Sequence, residues 1–198
     1  VFYAHNLQTG QIKELANLQM LAKPAGVSVP KSYLAKEQHK LIDYIALQQR
    51  NTKLKQTKNL SFDFIQTINS KNENGSCIIE YPKKIYCAYN NVNKKIMVSN
   101  GKSLVIKNKN SGNRYIYPLK KTPLIILLDK KILISKIAVL DPRIIDNKYL
   151  NFRIFEHNTE INIFFDKKTF DLVGWQTEDI YQNLIITFIS SVKINKII

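Results

Sequence analysis

The stretch from residue 74 to residue 129 constrains the fold more than any other part of the chain. It holds two consecutive hairpin signals, Pro82 between two alternating segments and Asn100-Gly101 between two apolar runs. Asn-Gly is a strong hairpin signal because a tight two-residue turn needs positive φ at its centre. A Thr-Pro step then leads into a segment with almost no polar residues. This order predicts a curved antiparallel sheet whose apolar inner face is covered by a short apolar segment.

Alternating side chains predict which face of the first hairpin points inward. The preceding segment, 59–68, alternates in the same way and places Phe62 and Phe64 on one side, and a turn is predicted at 72–75. With strands on either side of Pro82, the more apolar face of the hairpin carries Cys77, Ile79, Tyr81, Ile85, Cys87 and Tyr89. The core of an ordinary β-sandwich or β-barrel would show the same alternation.

The segment after Lys121 is predicted to be helical and buried. Thr122 is a good N-cap residue, and Pro123 suits the first helical position. The turn that follows, 124–128, is apolar on every side. A surface helix is apolar along one stripe only, so this segment is either buried on two sides or covers a cavity.

Helices are predicted before the sheet and further strands after the apolar segment. Residues 5–22 and about 32–57 show helical spacing, with a Pro- and Gly-containing linker at 23–32. Alternation over 150–192 predicts an antiparallel meander that carries the one tryptophan, Trp175. We therefore expect an α+β protein, with an N-terminal helical extension at 1–39 and a main domain at 40–198.

The formal net charge of +15 has two interpretations. A nucleic acid or an anionic membrane surface as partner would explain it. A general bias towards Lys, Ile and Asn would explain it too, and Arg, the residue best suited to reading bases, is scarce. We favour the bias and expect no nucleic-acid partner, with anionic lipid headgroups as a weak one.

The two cysteines, Cys77 and Cys87, face each other if the first hairpin is centred on Pro82. A disulfide between them is sterically allowed and would fit an oxidising compartment. Two reduced cysteines on the inner face of the sheet fit the sequence equally well.

Signatures of common enzyme and metal sites are missing from the sequence. The three histidines are scattered, and two cysteines without a nearby histidine do not form a zinc site. The sequence has no phosphate-binding glycine loop and no nucleophile elbow. We expect a non-enzymatic protein that needs no metal or other cofactor.

In the order and spacing of its motifs, the chain from 49 to 188 resembles the periplasmic outer-membrane lipoprotein carrier family, LolA. Phe64-Ile65-Gln66 is similar to the family's early F-x-Q strand. Residues 75–89 resemble its G-x-h-x-h-x-R-P hairpin, where h is apolar, and 96–102 its hhVSDGK hairpin. Residues 117–128 resemble the step into its lid, and 165–179 its late D-x-x-T-x-x-h-x-x-W strands.

The resemblance implies an unclosed β-barrel with helices as a lid, which accepts acylated lipoproteins from an inner-membrane ABC-type release complex and passes them to an outer-membrane lipoprotein receptor. We accordingly expect a monomeric carrier in the periplasm. The residues expected to line its acyl-chain cavity are Phe62, Phe64, Ile79, Tyr81, Cys87, Tyr89 and Trp175. Those expected to form the lid are Thr122, Pro123, Leu124, Leu127 and Leu128.

The sequence departs from the family pattern in three places. Tyr81 stands where the family has an Arg that is implicated in holding the lid shut, residues 1–45 exceed the usual N-terminus, and the F-x-F-x-P-P motif does not appear.

The alternative functions are those of a receptor-type or sensor-type half-barrel and of a basic nucleic-acid-binding β-protein. A receptor would carry a lipidated N-terminal cysteine. A nucleic-acid binder would bind single strands in a salt-dependent way and would not bind an acyl probe.

Overall fold

The computed structural model describes residues 46–156, 159–179 and 182–196. Contacts divide the chain into two compact units, Val1–Lys53 and Leu54–Ile198. The predicted helix at 5–22 and the predicted extension at 1–39 lie outside the described residues. Residues 46–56 form helix α1, which agrees with the end of the helix predicted near residue 57.

Eleven strands form a single antiparallel sheet, in the order β6-β5-β4-β3-β2-β1-β11-β10-β9-β8-β7. The sheet is therefore two meanders joined where β1 pairs with β11, and β6 and β7 are its edges. This arrangement confirms the predicted α+β class and the unclosed barrel. The strands are β1 (Asn59–Ile68), β2 (Lys71–Glu80), β3 (Lys84–Tyr89), β4 (Lys95–Asn100), β5 (Ser103–Asn108), β6 (Arg114–Pro118), β7 (Arg143–Ile145), β8 (Tyr149–Glu156), β9 (Thr159–Asp166), β10 (Leu172–Glu178) and β11 (Leu184–Ile194).

The chain between the two edge strands forms the helices that cover the sheet. It consists of a 3-10 turn (Leu119–Lys121), helix α2 (Leu124–Leu128) and helix α3 (Lys130–Ile137). We call residues 119–137 the cover segment. Because β6 and β7 lie at opposite edges of the sheet, this one connection spans the open side of the half-barrel.

The core lies between the cover segment and one face of the sheet. Along β1, for example, Leu60, Phe62 and Phe64 are buried, whereas Asp63 and Ile65 are exposed. The buried side chains of the strands and of the cover segment belong to one hydrophobic cluster. The cluster unites residues from both meanders, so neither meander has a separate core.

Gly75 lies inside a strand, and the turn predicted at 72–75 is wrong. The β1–β2 turn is at Asn69 and Ser70, which have φ values of 47° and 64°. Gly75 pairs with Phe64 on one side and Tyr89 on the other, and those two rings pack edge to face with centroids 4.9 Å apart. A glycine inside a strand often marks such a close approach rather than a turn.

The hairpin predicted from Asn100-Gly101 is present, with its turn one residue later than expected. Gly101 has a φ of 94° and, with Lys102, connects β4 to β5. The Asn100 side chain accepts hydrogen bonds from the amides of Lys102 and Ser103, both 3.0 Å long. Glycine at the first central position is the arrangement typical of a type II′ turn.

Adding a methyl group at Gly75 is expected to destabilise the fold. A Cβ there would lie 2.1 Å from the Ala88 carbonyl oxygen and 2.9 Å from a Phe64 ring carbon. We expect Gly75→Ala to lower the free energy of unfolding by about 1–3 kcal/mol, as overpacking usually does, measured by urea denaturation. The neighbouring exposed Ser76→Ala is the control and should change it by less than about 0.5 kcal/mol. Equal stabilities of the two variants would contradict the close packing of β1, β2 and β3.

Candidate functional site

The residues predicted to line a cavity come together on the buried face of the sheet. Six of them lie within the hydrophobic cluster, and Tyr81 is half-buried and packs against it. Two edge-to-face ring pairs join neighbouring strands, Phe62 with Trp175 at 6.1 Å and Phe64 with Tyr89 at 4.9 Å between centroids. Ile79 and Cys87 are fully buried in the same cluster.

The second meander supplies an equally apolar part of the same face, which was not among the predicted site residues. Phe152 pairs with Ile163 across β8 and β9, and Ile154 pairs with Ile161, all four being at most 1% exposed. Phe165 stacks on Phe170 with centroids 4.3 Å apart. The alternation over 150–165 was the sequence signal for these residues.

Cys77 and Cys87 are joined by a disulfide. They are directly paired residues of β2 and β3, and both side chains are buried in the cluster. The bond therefore cross-links the first hairpin from its apolar side.

The cover segment is buried as deeply as the sheet. Four residues of α2 are buried, among them Leu127 and Leu128 at 1% and 0% exposure, and Leu124 is half-buried. On α3, Leu133 and Ile137 are buried. The apolar character of the segment on every side is thus explained by burial beneath the concave face of the sheet.

Thr122 does not have the predicted N-cap role. Its hydroxyl donates to the Leu119 carbonyl, 2.9 Å away, because the preceding 3-10 turn ends at Thr122. Pro123 takes the N-cap position of α2, without a side-chain capping bond.

Backbone hydrogen bonds attach the cover segment to turns at one end of the strands. The Leu119 amide donates to the Lys102 carbonyl in the β4–β5 turn, and the Lys83 amide in the β2–β3 turn donates to the Leu128 carbonyl, both at 2.8 Å. The cover segment is therefore hydrogen-bonded to one hairpin turn before α2 and to another at the end of α2.

The α2–α3 junction carries the polar contacts of the cover segment. Asp129 caps α3 by accepting from the Lys131 amide at 3.0 Å, and it also pairs with the Lys83 ammonium at 3.1 Å. The Lys130 ammonium donates to the carbonyls of Thr57 at 2.7 Å and Lys55 at 3.0 Å. Sequence reasoning missed these residues, since no local pattern connects Lys83 with Asp129.

Tyr81 lies beside this junction. Its amide donates to the Lys58 carbonyl at 2.9 Å, and the Lys130 ammonium is 5.2 Å from its ring centroid. Burial raises the pKa of the Tyr81 phenol and lowers the pKa of the Lys130 ammonium. A pocket of about 690 Å³ opens here, lined by Lys58, Asn59, Glu80, Tyr81, Lys130, Asn195 and Lys196.

Three hydrogen-bonded polar side chains border the apolar face near the C-terminal end of β1. The Tyr89 hydroxyl donates to Gln66 Oε1 at 3.2 Å, and Gln66 Nε2 donates to Thr187 Oγ1 at 3.0 Å. Burial, and to a lesser degree the nearby Glu73 carboxylate, raises the pKa of the Tyr89 phenol. The concave face is thus apolar in its middle and bordered by polar groups, an arrangement suited to a ligand with long apolar chains.

The described ranges 46–156, 159–179 and 182–196 hold neither clustered metal ligands nor a helix that could span a membrane. They contain no cluster of three or more His, Cys, Asp or Glu side chains able to hold a metal ion. None of their helices is both long and apolar enough to cross a bilayer.

The described residues form an unclosed antiparallel half-barrel with an apolar concave face and a helical cover. Residues 55–197 match the family described as outer membrane lipoprotein carrier protein LolA. The chain belongs to this family, which confirms the resemblance seen in its motifs.

Solved structures with a similar fold share little sequence with the chain. A LolA superfamily protein from Nitrosomonas europaea is 6% identical, with 77% of this chain and 94% of that chain covered and a TM-score of 0.39. A putative outer membrane lipoprotein-sorting protein domain from Vibrio parahaemolyticus is 5% identical, with 77% and 92% covered and a TM-score of 0.44. The Pseudomonas aeruginosa MucA/MucB complex gives 9% identity, 78% and 58% coverage and a TM-score of 0.44. No curated protein sequence matches the chain.

Raising the pH above about 10 is expected to weaken the fold through Tyr81 and Tyr89. Burial holds both phenol pKa values above their ordinary value of 10.0 in the folded chain. The unfolded chain then releases these protons first, so the free energy of unfolding falls as the pH rises through that value. We expect a smaller fall in the Tyr81→Phe/Tyr89→Phe variant, measured by urea denaturation at about pH 9 and 11. An identical fall in both proteins would contradict the burial of the two phenols.

Proposed function

We propose that the chain binds the acyl chains of lipoproteins on its concave face and carries them across the periplasm. It receives them from an inner-membrane ABC-type release complex and delivers them to an outer-membrane receptor, as a monomer and without catalysis. The observation that carries the proposal is the apolar concave face, which extends over both meanders beneath a single cover segment. The buried Cys77–Cys87 disulfide is in keeping with an oxidising compartment such as the periplasm.

The energy of acyl-chain burial sets a limit on how such a carrier works. Each buried methylene contributes about 0.8 kcal/mol, so one fully buried chain of ~16 carbons contributes about 12 kcal/mol. Three such chains would exceed the practical limit of roughly 18–21 kcal/mol for non-covalent binding. A carrier that retained all of this energy could not release its cargo.

The cover segment opposes this energy because it occupies the concave face when no cargo is bound. Four side chains of α2 and two of α3 are buried. Transferring six large apolar side chains to water costs about 9–18 kcal/mol, which is comparable with the burial of one acyl chain. In the proposed mechanism, contact between the opened cover and the bound acyl chains recovers part of this cost. Exchange of the cover for one fully buried acyl chain, or for three chains that are only partly buried, then has a small net free energy, which makes release feasible.

The α2–α3 junction is the place where we expect opening to be controlled. Its polar contacts are the Asp129–Lys83 ion pair, the Lys83–Leu128 backbone bond and the Lys130 ammonium on two carbonyls. All three hold the cover segment to the same end of the sheet. In the proposed mechanism these contacts break when cargo enters.

A charge placed in the cover segment tests the proposal. Leu128→Asp and Leu124→Asp should weaken binding of a dansyl-labelled fatty acid at least tenfold, because a carboxylate is poorly solvated against acyl chains. Leu124 is only half-buried, so its variant remains informative if Leu128→Asp fails to fold. Fluorescence titration measures affinity, and circular dichroism verifies folding.

The matched control is Val139→Asp, which adds the same charge beyond α3 at a position that is 79% exposed. It should bind the probe as the wild type does. Wild-type affinity in a folded Leu124→Asp or Leu128→Asp variant would exclude the cover segment from the binding site. Absence of probe binding by the wild type would exclude the proposed function itself.

Removing the charge of Asp129 is expected to favour the open form. Asn is as good an N-cap as Asp, so Asp129→Asn keeps the cap of α3 and removes the ion pair with Lys83. A partly exposed ion pair contributes about 0.5–1 kcal/mol, so the probe should bind about two- to fivefold more tightly. The same titration measures this gain.

Glu80→Gln is the control for this variant. It removes the Lys84–Glu80 ion pair of 3.0 Å on the same hairpin, which does not involve the cover segment. Its probe affinity should equal that of the wild type. Equal affinities of Asp129→Asn and Glu80→Gln would show that the Lys83–Asp129 pair does not control opening.

A further inference from the structure

We propose that one end of the half-barrel docks on the surface of an anionic phospholipid bilayer. This end, which we call the lysine rim, consists of the turns at the ends of the strands together with the attached parts of the cover segment. It comprises residues 81–84, 101–102, 119–121, 129–131, 146–148 and 167–171.

Strand register places these turns at the same end of the sheet. In the first meander, Glu80 pairs with Lys84, Lys84 with Asn100, and Ser103 with Pro118, which precedes the 3-10 turn. The second meander has its corresponding end where Tyr149 pairs with Ile145 and Asp166. The hydrogen bonds from Lys83 and Leu119 bring the cover segment to this end as well.

Charge is unevenly distributed between the two ends. The lysine rim contains ten lysines and three aspartates. Two of the nearby carboxylates, Asp129 and Glu80, are paired with lysines of the rim, and Asp166 accepts hydrogen bonds from the amides of its own turn. By contrast, the described turn residues at the opposite end, each turn taken with the first residue of the next strand (69–71, 90–95, 109–114, 179 and 182–184), contain four lysines, one arginine and one aspartate.

The distribution of the lysines fits a bilayer better than a compact anionic ligand. The rim charges come from six separate segments along the end of the sheet, and most of these side chains are exposed. Lysine is a strongly hydrated point charge and acts on an extended anionic surface over about one Debye length, without fixed hydrogen-bond geometry. The pocket beside Tyr81, lined by Lys58, Lys130 and Lys196, opens next to the rim and adds positive charge.

Docking in this orientation would bring the α2–α3 junction to the bilayer surface. The junction residues Asp129 and Lys130 belong to the rim, and the Lys83–Asp129 ion pair lies within it. Acyl chains that enter or leave beneath the cover segment would then travel a short distance between the bilayer and the concave face. The docking does not depend on acyl-chain binding and can be tested separately.

Sedimentation with vesicles tests the docking. We expect the full chain to bind vesicles of phosphatidylglycerol and phosphatidylcholine at low salt, to leave them at high salt, and not to bind pure phosphatidylcholine. In the triple variant Lys102→Gln/Lys148→Gln/Lys168→Gln, which leaves the cover segment unchanged, the partition coefficient should fall about a hundredfold, since each lysine near the surface contributes about fivefold. All three side chains are exposed on the lysine rim.

The control is a second triple variant with the same net charge as the first. Its substitutions lie towards the other end of the strands. Lys94→Gln/Lys107→Gln/Lys109→Gln replaces two exposed turn lysines and Lys107, the exposed next-to-last residue of β5, and should change the partition coefficient by less than about threefold. Equal losses in the two triple variants would show non-specific attraction and overturn the proposal. Failure of the wild type to bind anionic vesicles at low salt would also overturn it. That result is expected if the rim contacts an acidic protein and not a bilayer. Both triple variants should keep wild-type affinity for the acyl probe, so failure of docking is distinguishable from failure of the proposed function.

Discussion

Burial of one apolar face of an open sheet is the constraint on which the rest of the structure depends. The sheet has eleven strands and two edges, and its inner face carries aromatic and aliphatic side chains from both meanders. Leaving such a face in water is unfavourable by about 25 cal/mol per Å². The connection between the edge strands β6 and β7 covers it, so the topology that leaves the barrel open also supplies its cover.

Under the proposed function, the cover segment competes with the acyl chains for the same apolar surface. The competition involves α2 and α3, whose buried side chains contact the cluster, while the polar contacts concentrate at Asp129 and Lys130. Apolar packing then determines the size of the energy exchanged, and a few polar contacts determine how easily the exchange begins. Under the proposed function, this separation lets opening be adjusted without altering the surface that binds acyl chains.

The sequence predicted the parts of this design that depend on local patterns. Two-residue periodicity gave the buried faces of β1 to β3, and the apolar run after Pro123 gave the cover. The turn prediction at Gly75 was wrong because glycine occurs both in turns and where neighbouring groups approach the backbone closely. The packing of the Phe64 and Tyr89 rings, which accounts for the glycine, joins residues that are distant in sequence. The Lys83–Asp129 pair and the β1–β11 pairing join distant parts of the chain, and no local pattern contains that information.

The polar contacts of the cover segment lie close to position 81. The family pattern that the motifs resemble has an Arg there, whereas this chain has a tyrosine, which is neutral near neutral pH and forms no ion pair. The positive charge beside the cover segment belongs to two lysines. Lys83 supplies it two positions later, since its amide donates to Leu128 and its ammonium pairs with Asp129, while Lys130 reaches back over the Tyr81 ring. Under the proposed function, the Lys83–Asp129 ion pair can hold the cover segment at the α2–α3 junction without an Arg at position 81.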